Sequence, residues 1–153
     1  MAKEIYPVPD SVKARALIDE AEYEAMYARS VEDNEGFWAE QAQRLDWIKP
    51  FTRVKDVSFA KDDLHIRWYD DGSLNVCYNC IDRHLDTKGD DTAIIWEGDD
   101  PGTDLTITYK ELHERVCRFA NSLEALGTKK GDRVTIYMPM IPEAAIALSL
   151  IHI

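Results

Sequence analysis

The sequence predicts an α/β fold, with a small, mostly helical N-terminal part followed by strands that alternate with helices. Three observations predict it. Apolar side chains recur at three- and four-residue spacing from Tyr23 onward, the period of a helix with one buried stripe. Residues 64–69 alternate with a period of two, the mark of a strand. Beyond Asp86 the order is strand, helix, strand, helix, which argues for an α/β layer with right-handed crossovers.

Residues 1–18 read as irregular, with Pro7 and Pro9 restricting the backbone and at most a turn of helix over 11–17. Asp19 is placed to cap a helix of about three turns, with Glu20, Glu22 and Glu24 near its positive end and Tyr23, Met26 and Tyr27 on its apolar face. A second helix starts near Asn34, carries Phe37, Trp38, Gln41, Leu45 and Trp47, and stops at Pro50. Leu64, Ile66 and Trp68 form one face of a strand. Asp70-Asp71-Gly72 then reads as a turn, and Asn75 caps a third helix that reaches about Leu85. Strands follow over 92–96 and 105–108. Thr108-x-x-Glu111 fits a capping box for a helix carrying Leu112, Val116, Phe119, Leu123 and Leu126, with Gly127 at its left-handed cap. Residues 133–138 read as a strand, and Pro142 opens a last helix. Residues 144–153 are almost wholly apolar and have no closing Gly, Lys or Arg, which predicts that the chain is the N-terminal part of a longer protein.

Composition narrows the function. The 153 residues are 45% hydrophobic and 31% charged, so a core can form. The net charge of −11 is spread evenly along the chain, which argues against nucleic acid or an anionic membrane surface as partner. No apolar run reaches the length of a membrane span, and the opening ten residues do not form a secretory signal. Cys77, Cys80 and Cys117 are sparse and odd in number, which predicts free thiols and a reducing, cytoplasmic setting.

Four constellations carry potential chemistry. Cys77-x-x-Cys80 with His84 invites a zinc reading, completed by His65, His113 or Cys117. A tetrahedral site usually pairs two such knuckles, so small side chains packing on a helix is the favoured reading. Asp99, Asp100 and Asp104 lack the ligand spacing of a calcium loop and read as a solvated acidic loop. His113 with Glu114, or Asp82 with His84, has the composition of an acid–base pair but no accompanying nucleophile. The glycine pairs Gly98/Gly102 and Gly127/Gly131 have the wrong charge or the wrong polarity for a phosphate cradle. The expected catalytic, cofactor-binding and metal-ligating sets in this chain are therefore empty.

Several strings, dense and in order, resemble the acetyl-coenzyme A synthetase family. They are Gly36-Phe37-Trp38-Ala39-Glu40, Leu45-Asp46-Trp47-Ile48-Lys49-Pro50-Phe51, Ile66-Arg67-Trp68-Tyr69, Asp71-Gly72-Ser73-Leu74-Asn75 and Tyr78-Asn79-Cys80-Ile81-Asp82-Arg83-His84-Leu85. The most specific is Thr92-Ala93-Ile94-Ile95-Trp96-Glu97-Gly98-Asp99-Asp100. Thr108-Tyr109-x-Glu111-Leu112, Gly131-Asp132-x-Val134 and Met138-Pro139-Met140-x-Pro142-Glu143 are similar to the start of the wider adenylate-forming superfamily. The resemblance covers roughly residues 19–147. It implies an N-terminal cap domain over 19–82, after the irregular 1–18, and then the first, incomplete α/β layer of an AMP-binding domain over 83–153.

The implied reaction joins acetate to coenzyme A through acetyl-adenylate, using ATP and Mg²⁺. Propionate or another short acid is the alternative substrate, and a non-catalytic interaction module is the alternative role. The family's phosphate-binding loop, its Lys in a mobile C-terminal domain and its coenzyme A contacts have no counterpart here. The resemblance therefore implies no catalytic residue, no cofactor held by this chain alone, and the C-terminal remainder of the same polypeptide as partner. Residues 148–153 depart from the family's continuation, which predicts that they are non-native.

Overall fold

The computed structural model describes residues 6–150. Its elements run α1 (Asp10–Lys13), α2 (Glu20–Glu32), α3 (Asn34–Gln41), β1 (Trp47–Lys49), β2 (Lys55–Ala60), β3 (Asp63–Trp68), β4 (Ser73–Leu74), α4 (Val76–Cys80), α5 (Leu85–Lys88), β5 (Thr92–Glu97), β6 (Asp104–Thr108), α6 (Tyr109–Ala125) and α7 (Pro142–Leu150). They divide into two units, Met1–Arg44 with Phe51–Asp71, and Leu45–Pro50 with Gly72–Ile153. The readings of residues 1–5 and 151–153 lie outside the described residues.

In the first unit, local capping sets the helices. Asp19 accepts the Glu22 amide at 2.9 Å, and the Glu22 carboxylate accepts the Asp19 amide at 3.2 Å, so two otherwise unpaired donors are satisfied reciprocally. Asp33 caps α3 by accepting the Gly36 amide at 3.1 Å. A Cβ on residue 36 would fall 2.1 Å from that carboxylate, so a larger residue there would make the Asp33 side chain shift. The second helix is shorter than the sequence predicts. It stops at Gln41, and one 3-10 turn covers Ala42–Arg44. Trp47 lies instead in β1, where the Trp-Ile pair gains more from a ladder than from a helix.

β2 and β3 form an antiparallel hairpin in register Lys55↔Trp68 through Ala60↔Asp63, closed by Lys61 and Asp62. The sequence analysis predicts only its second strand. Alternation splits the hairpin into two faces. Val57, Phe59, Leu64, Ile66 and Trp68 share one; Asp56, His65 and Arg67 share the other. Tyr69 ends the hairpin at φ 51°, a left-handed conformation rare for an aromatic residue. Its hydroxyl donates to the Trp38 carbonyl at 2.9 Å, and its ring lies 4.8 Å from that of Phe51. Asp71 in the predicted turn accepts the Thr52 amide at 3.0 Å.

In the second unit, β1 pairs with β4. The Asn75 side chain caps α4 through the Tyr78 amide at 2.9 Å. The predicted helix over 75–85 is broken. Ile81 leaves helical geometry at φ −126° and ψ −66°, and its 2%-exposed side chain enters the core. A 3-10 turn, Asp82–His84, and then α5 follow.

β5 and β6 form an antiparallel hairpin. Thr108 is the last residue of β6 and the cap of α6. Its hydroxyl accepts the Glu111 amide at 3.2 Å, and Glu111 accepts the Thr108 amide at 2.8 Å. Gly127, at φ 87°, ends α6 with amides of Thr128 and Gly127 donating to the carbonyls of Leu123 and Glu124 at 3.1 and 2.8 Å. This double closure satisfies the last carbonyls.

The predicted strand over 133–138 is absent among the described residues, as are parallel strand pairs. A strand exists only through a ladder partner, and β5 and β6 pair with each other alone. The core gathers Cys77, Ile81, Ile107, Leu112, Val116 and Ile146 from α4 and the residue after it, β6, α6 and α7.

Candidate functional site

Cys77 on α4 is buried, whereas Cys80 one turn on is exposed, so the CxxC pair does not face one point. The ring of His84 lies 5.9 Å from that of Tyr109. His65 is held by the carboxylates of Asp56 and Asp63, each at 3.1 Å. Among the described residues, no group of three or more His, Cys, Asp or Glu is arranged to hold a metal ion.

The acid–base pairs weighed in the sequence do not form as paired there. Glu114 is engaged by Arg118 one turn on. His113 instead meets Asp82, with Nε2 3.3 Å from Oδ1, and the Cys117 sulfur lies 3.5 Å from the same nitrogen. The Cys77 thiol donates to the other Asp82 oxygen at 3.7 Å. The result is a polar seam from α4 through the Asp82 turn to α6.

Its chemistry is limited by two facts. A nucleophile–base–carboxylate relay uses both ring nitrogens of the histidine, whereas one nitrogen here faces both neighbours. A reactive cysteine needs a lowered pKa, whereas burial first and the Asp82 charge second push Cys77 up to about 11. The seam ties helices together and does not assemble a nucleophilic centre.

The acidic loop is a turn. The Asp100 carbonyl accepts the Thr103 amide at 3.0 Å, with Pro101 and Gly102 between them and Gly102 at φ 85°. That is a type II geometry, set by Pro at the second position and Gly at the third. Asp99 and Asp100 shape this loop, and Asp104 begins β6. Gly127 closes α6 and Gly131 sits in the turn after it, so neither glycine pair opens a helix toward a phosphate.

The polar face of the β2–β3 hairpin gives a pH prediction. The hydrogen bond to Asp56 first, and then that to Asp63, raises the His65 pKa above its ordinary 6.5. The same His65 contact first, then the Arg53 and Arg67 charges, lowers Asp56. A raised histidine contributes stability that is fully present below its unfolded value and is lost as pH rises through the folded one. The lowered Asp56 contributes stability present above its own unfolded value and lost as pH falls through the folded one. The hairpin should therefore be firmest between the two. Histidine NMR titration should place His65 above 6.5, and H65Q should flatten the loss of hairpin protection on the alkaline side of that value. An unshifted titration would remove the effect.

The apolar stripe predicted on α2 and the aromatic residues of α3 stay open to solvent in the first unit. Tyr23, Met26 and Tyr27 of α2, Phe37 and Trp38 of α3, and Ile18 line an open cleft of about 210 Å³. Trp38 meets Trp68 edge to face, with centroids 6.1 Å apart. The apolar hairpin face thus continues the cleft. The period-two run of Lys55, Val57 and Phe59 was the available signal.

Two family models match the chain. Residues 23–80 match the family described as Acetyl-coenzyme A synthetase N-terminus, and residues 81–149 match AMP-binding enzyme. The chain is 62% identical over 149 residues to an acetyl-coenzyme A synthetase of Bdellovibrio bacteriovorus, covering 97% of this chain and 23% of that protein. It is 59% identical over 144 residues to one from Vibrio cholerae, covering 94% of this chain and 22% of that protein. Among solved structures, the acetoacetyl-CoA synthetase of Streptomyces lividans superposes with a TM-score of 0.71 at 26% identity, covering 93% of this chain and 22% of that one. The chain spans less than a quarter of the length of the curated relatives it matches.

Proposed function

We propose that this chain, whose residues 23–80 match the acetyl-coenzyme A synthetase N-terminus and whose residues 81–149 match AMP-binding enzyme, is the N-terminal part of an acetate–CoA ligase. The observation that carries this reading is the match at 62% identity over 149 residues, 97% of this chain. The proposed boundaries are a cap over residues 19–82 and the start of the nucleotide-binding domain from residue 83.

A carboxylate is a poor acyl donor, and adenylation gives it a leaving group. An acetate oxygen attacks the α-phosphorus of ATP, the bond to the bridging oxygen breaks, and pyrophosphate leaves. The thiol of coenzyme A, losing its proton, then attacks the acyl carbonyl. The carbon–oxygen bond to AMP breaks and acetyl-CoA forms. Both steps demand fixed positive charge and donors around the phosphates.

Mg²⁺ would supply part of that charge. The described residues do not fit it, because Asp99 and Asp100 shape a hairpin turn and no three candidate ligands converge. No step is therefore routed through this chain. Its role is to build the α4–β5–β6–α6 packing on which the ligase site is completed by later sequence.

The test is a chimera in which residues 1–149 replace the matched 23% of the Bdellovibrio relative. Acetate-dependent ATP–pyrophosphate exchange is expected from the chimera and not from the 153-residue chain alone. A folded chimera without exchange would sink the ligase reading. Exchange by the short chain would show that the chemistry lies within it.

A further inference from the structure

His113 and Cys117 lie one turn apart on α6, so both side chains project from one face of a capped, regular helix. The His113 Nε2 and the Cys117 sulfur are 3.5 Å apart. Zinc binds a thiolate sulfur at about 2.3 Å and an imidazole nitrogen at about 2.0–2.1 Å. At a tetrahedral angle those two bonds set the donor atoms about 3.5–3.6 Å apart. The same two bonds arranged in a line would need about 4.3–4.4 Å. The pair therefore has the bite of a tetrahedral cation. A thiol–imidazole hydrogen bond has the same separation, and the surroundings decide between the two.

The nitrogen that faces Cys117 also faces Asp82, whose Oδ1 is 3.3 Å away. A single Nε2 proton serves only one of these neighbours well. A cation beside the nitrogen and sulfur is bonded to both and is neutralised by the carboxylate. Asp82 is fixed from behind, because the Cys77 thiol donates to its Oδ2 at 3.7 Å. Cys77 itself is a poor ligand, since burial first and Asp82 second push its pKa up to about 11 and keep the thiol protonated. The His113 and Asp82 side chains are 35% and 34% exposed, and Cys117 is half-buried, so a hydrated ion can reach them. The chain's charge of −11 raises the local concentration of cations. Among the described residues no three such side chains converge on one point, so water completes the shell.

We propose that His113 and Cys117 of α6 chelate a divalent, thiophilic cation of the zinc class, with water in its remaining positions and Asp82 as the neighbouring counter-charge. The Cys117 sulfur gives its proton to solvent. His113 binds through the Nε2 lone pair and carries its proton on Nδ1. The direct Asp82–His113 contact gives way, and Oδ1 accepts from a water on the ion. The site lies within the second unit and does not depend on the ligase reading.

Cobalt(II), which occupies zinc sites and absorbs visible light, is the probe, and the 153-residue chain is the protein tested. One cobalt per chain should bind with a thiolate-to-cobalt charge-transfer band, and Zn²⁺ should displace it. Cys117→Ser and His113→Gln should each abolish the band, whereas Cys80→Ser and His84→Gln should keep it. Asp82→Asn should weaken binding several-fold, and undiminished affinity would overturn the part given to Asp82. Binding should weaken as pH falls, because the ion displaces the Cys117 proton. Alkylation of the unmutated chain, read by mass spectrometry, needs no variant to fold. Zn²⁺ should slow iodoacetamide labelling of Cys117 several-fold and leave Cys80 unchanged. A chain that takes up no cobalt, or takes it up without the charge-transfer band, overturns the proposal. So does a band that survives Cys117→Ser or His113→Gln, or protection of Cys80 in place of Cys117.

Discussion

Ile107→Ala should lower the unfolding free energy by about 2–5 kcal/mol. Ile107 is 0% exposed and sits in β6 among Cys77, Ile81, Leu112, Val116 and Ile146. Truncation forfeits the transfer energy of the removed carbons and leaves a cavity. That cavity cannot collapse easily, because the walls come from three separate helices. Ile107→Val keeps most of the volume and should cost only about 0.5–1.5 kcal/mol. Urea unfolding should show the midpoint falling with an unchanged slope for both variants. A shift for Ile107→Ala no larger than that for Ile107→Val would mean that this cluster is not the cooperative core of its unit.

Asn79→Leu comes next, with an expected loss of about 2–4 kcal/mol. Asn79 is the one buried polar side chain among the described residues, 8% exposed, and its amide bonds are all used. Its oxygen accepts the Asp46 amide at 2.8 Å and an Arg83 N–H at 2.9 Å. Its nitrogen donates to the carbonyls of Asp46 and Asn75, both at 3.0 Å. Leucine matches the size but answers none of these groups. The penalty arises less from the bonds lost than from the Asp46 peptide groups left without partners. Amide exchange at Asp46 should accelerate by at least an order of magnitude in the variant. Unchanged protection there would show that another group holds the segment before β1.

These effects also mark what was readable in the sequence. The caps were legible at Asp19, Asn75, Thr108 and Gly127, because a cap is a contact between residues within five positions of each other. Trp47 was misplaced because a short apolar run suits helix or strand, and the choice fell to a partner, Leu74, twenty-seven positions away. Residues 133–138 alternate like a strand, but alternation says nothing of whether a ladder partner is present.

The glycine loops were legible as well. The loops around Gly98, Gly102, Gly127 and Gly131 have turn chemistry, and they fold as turns. The Asp82–His113 contact was not, since it joins residues thirty-one positions apart through the break at Ile81. The openness of the first unit's apolar surface was hidden for another reason. Tryptophan counts as core material by composition, and only the fold reveals that Trp38 keeps 41% of its surface open.

Thr108 has a consequence for how the second unit comes apart. One residue terminates a strand and starts a seventeen-residue helix, with no spacer between them. A junction without slack transmits displacement: lifting the strand drags the helix start, and fraying the helix start strips the strand of its last rung. The two elements should therefore open as a single block, and neither has the freedom to act as a swinging gate for the other.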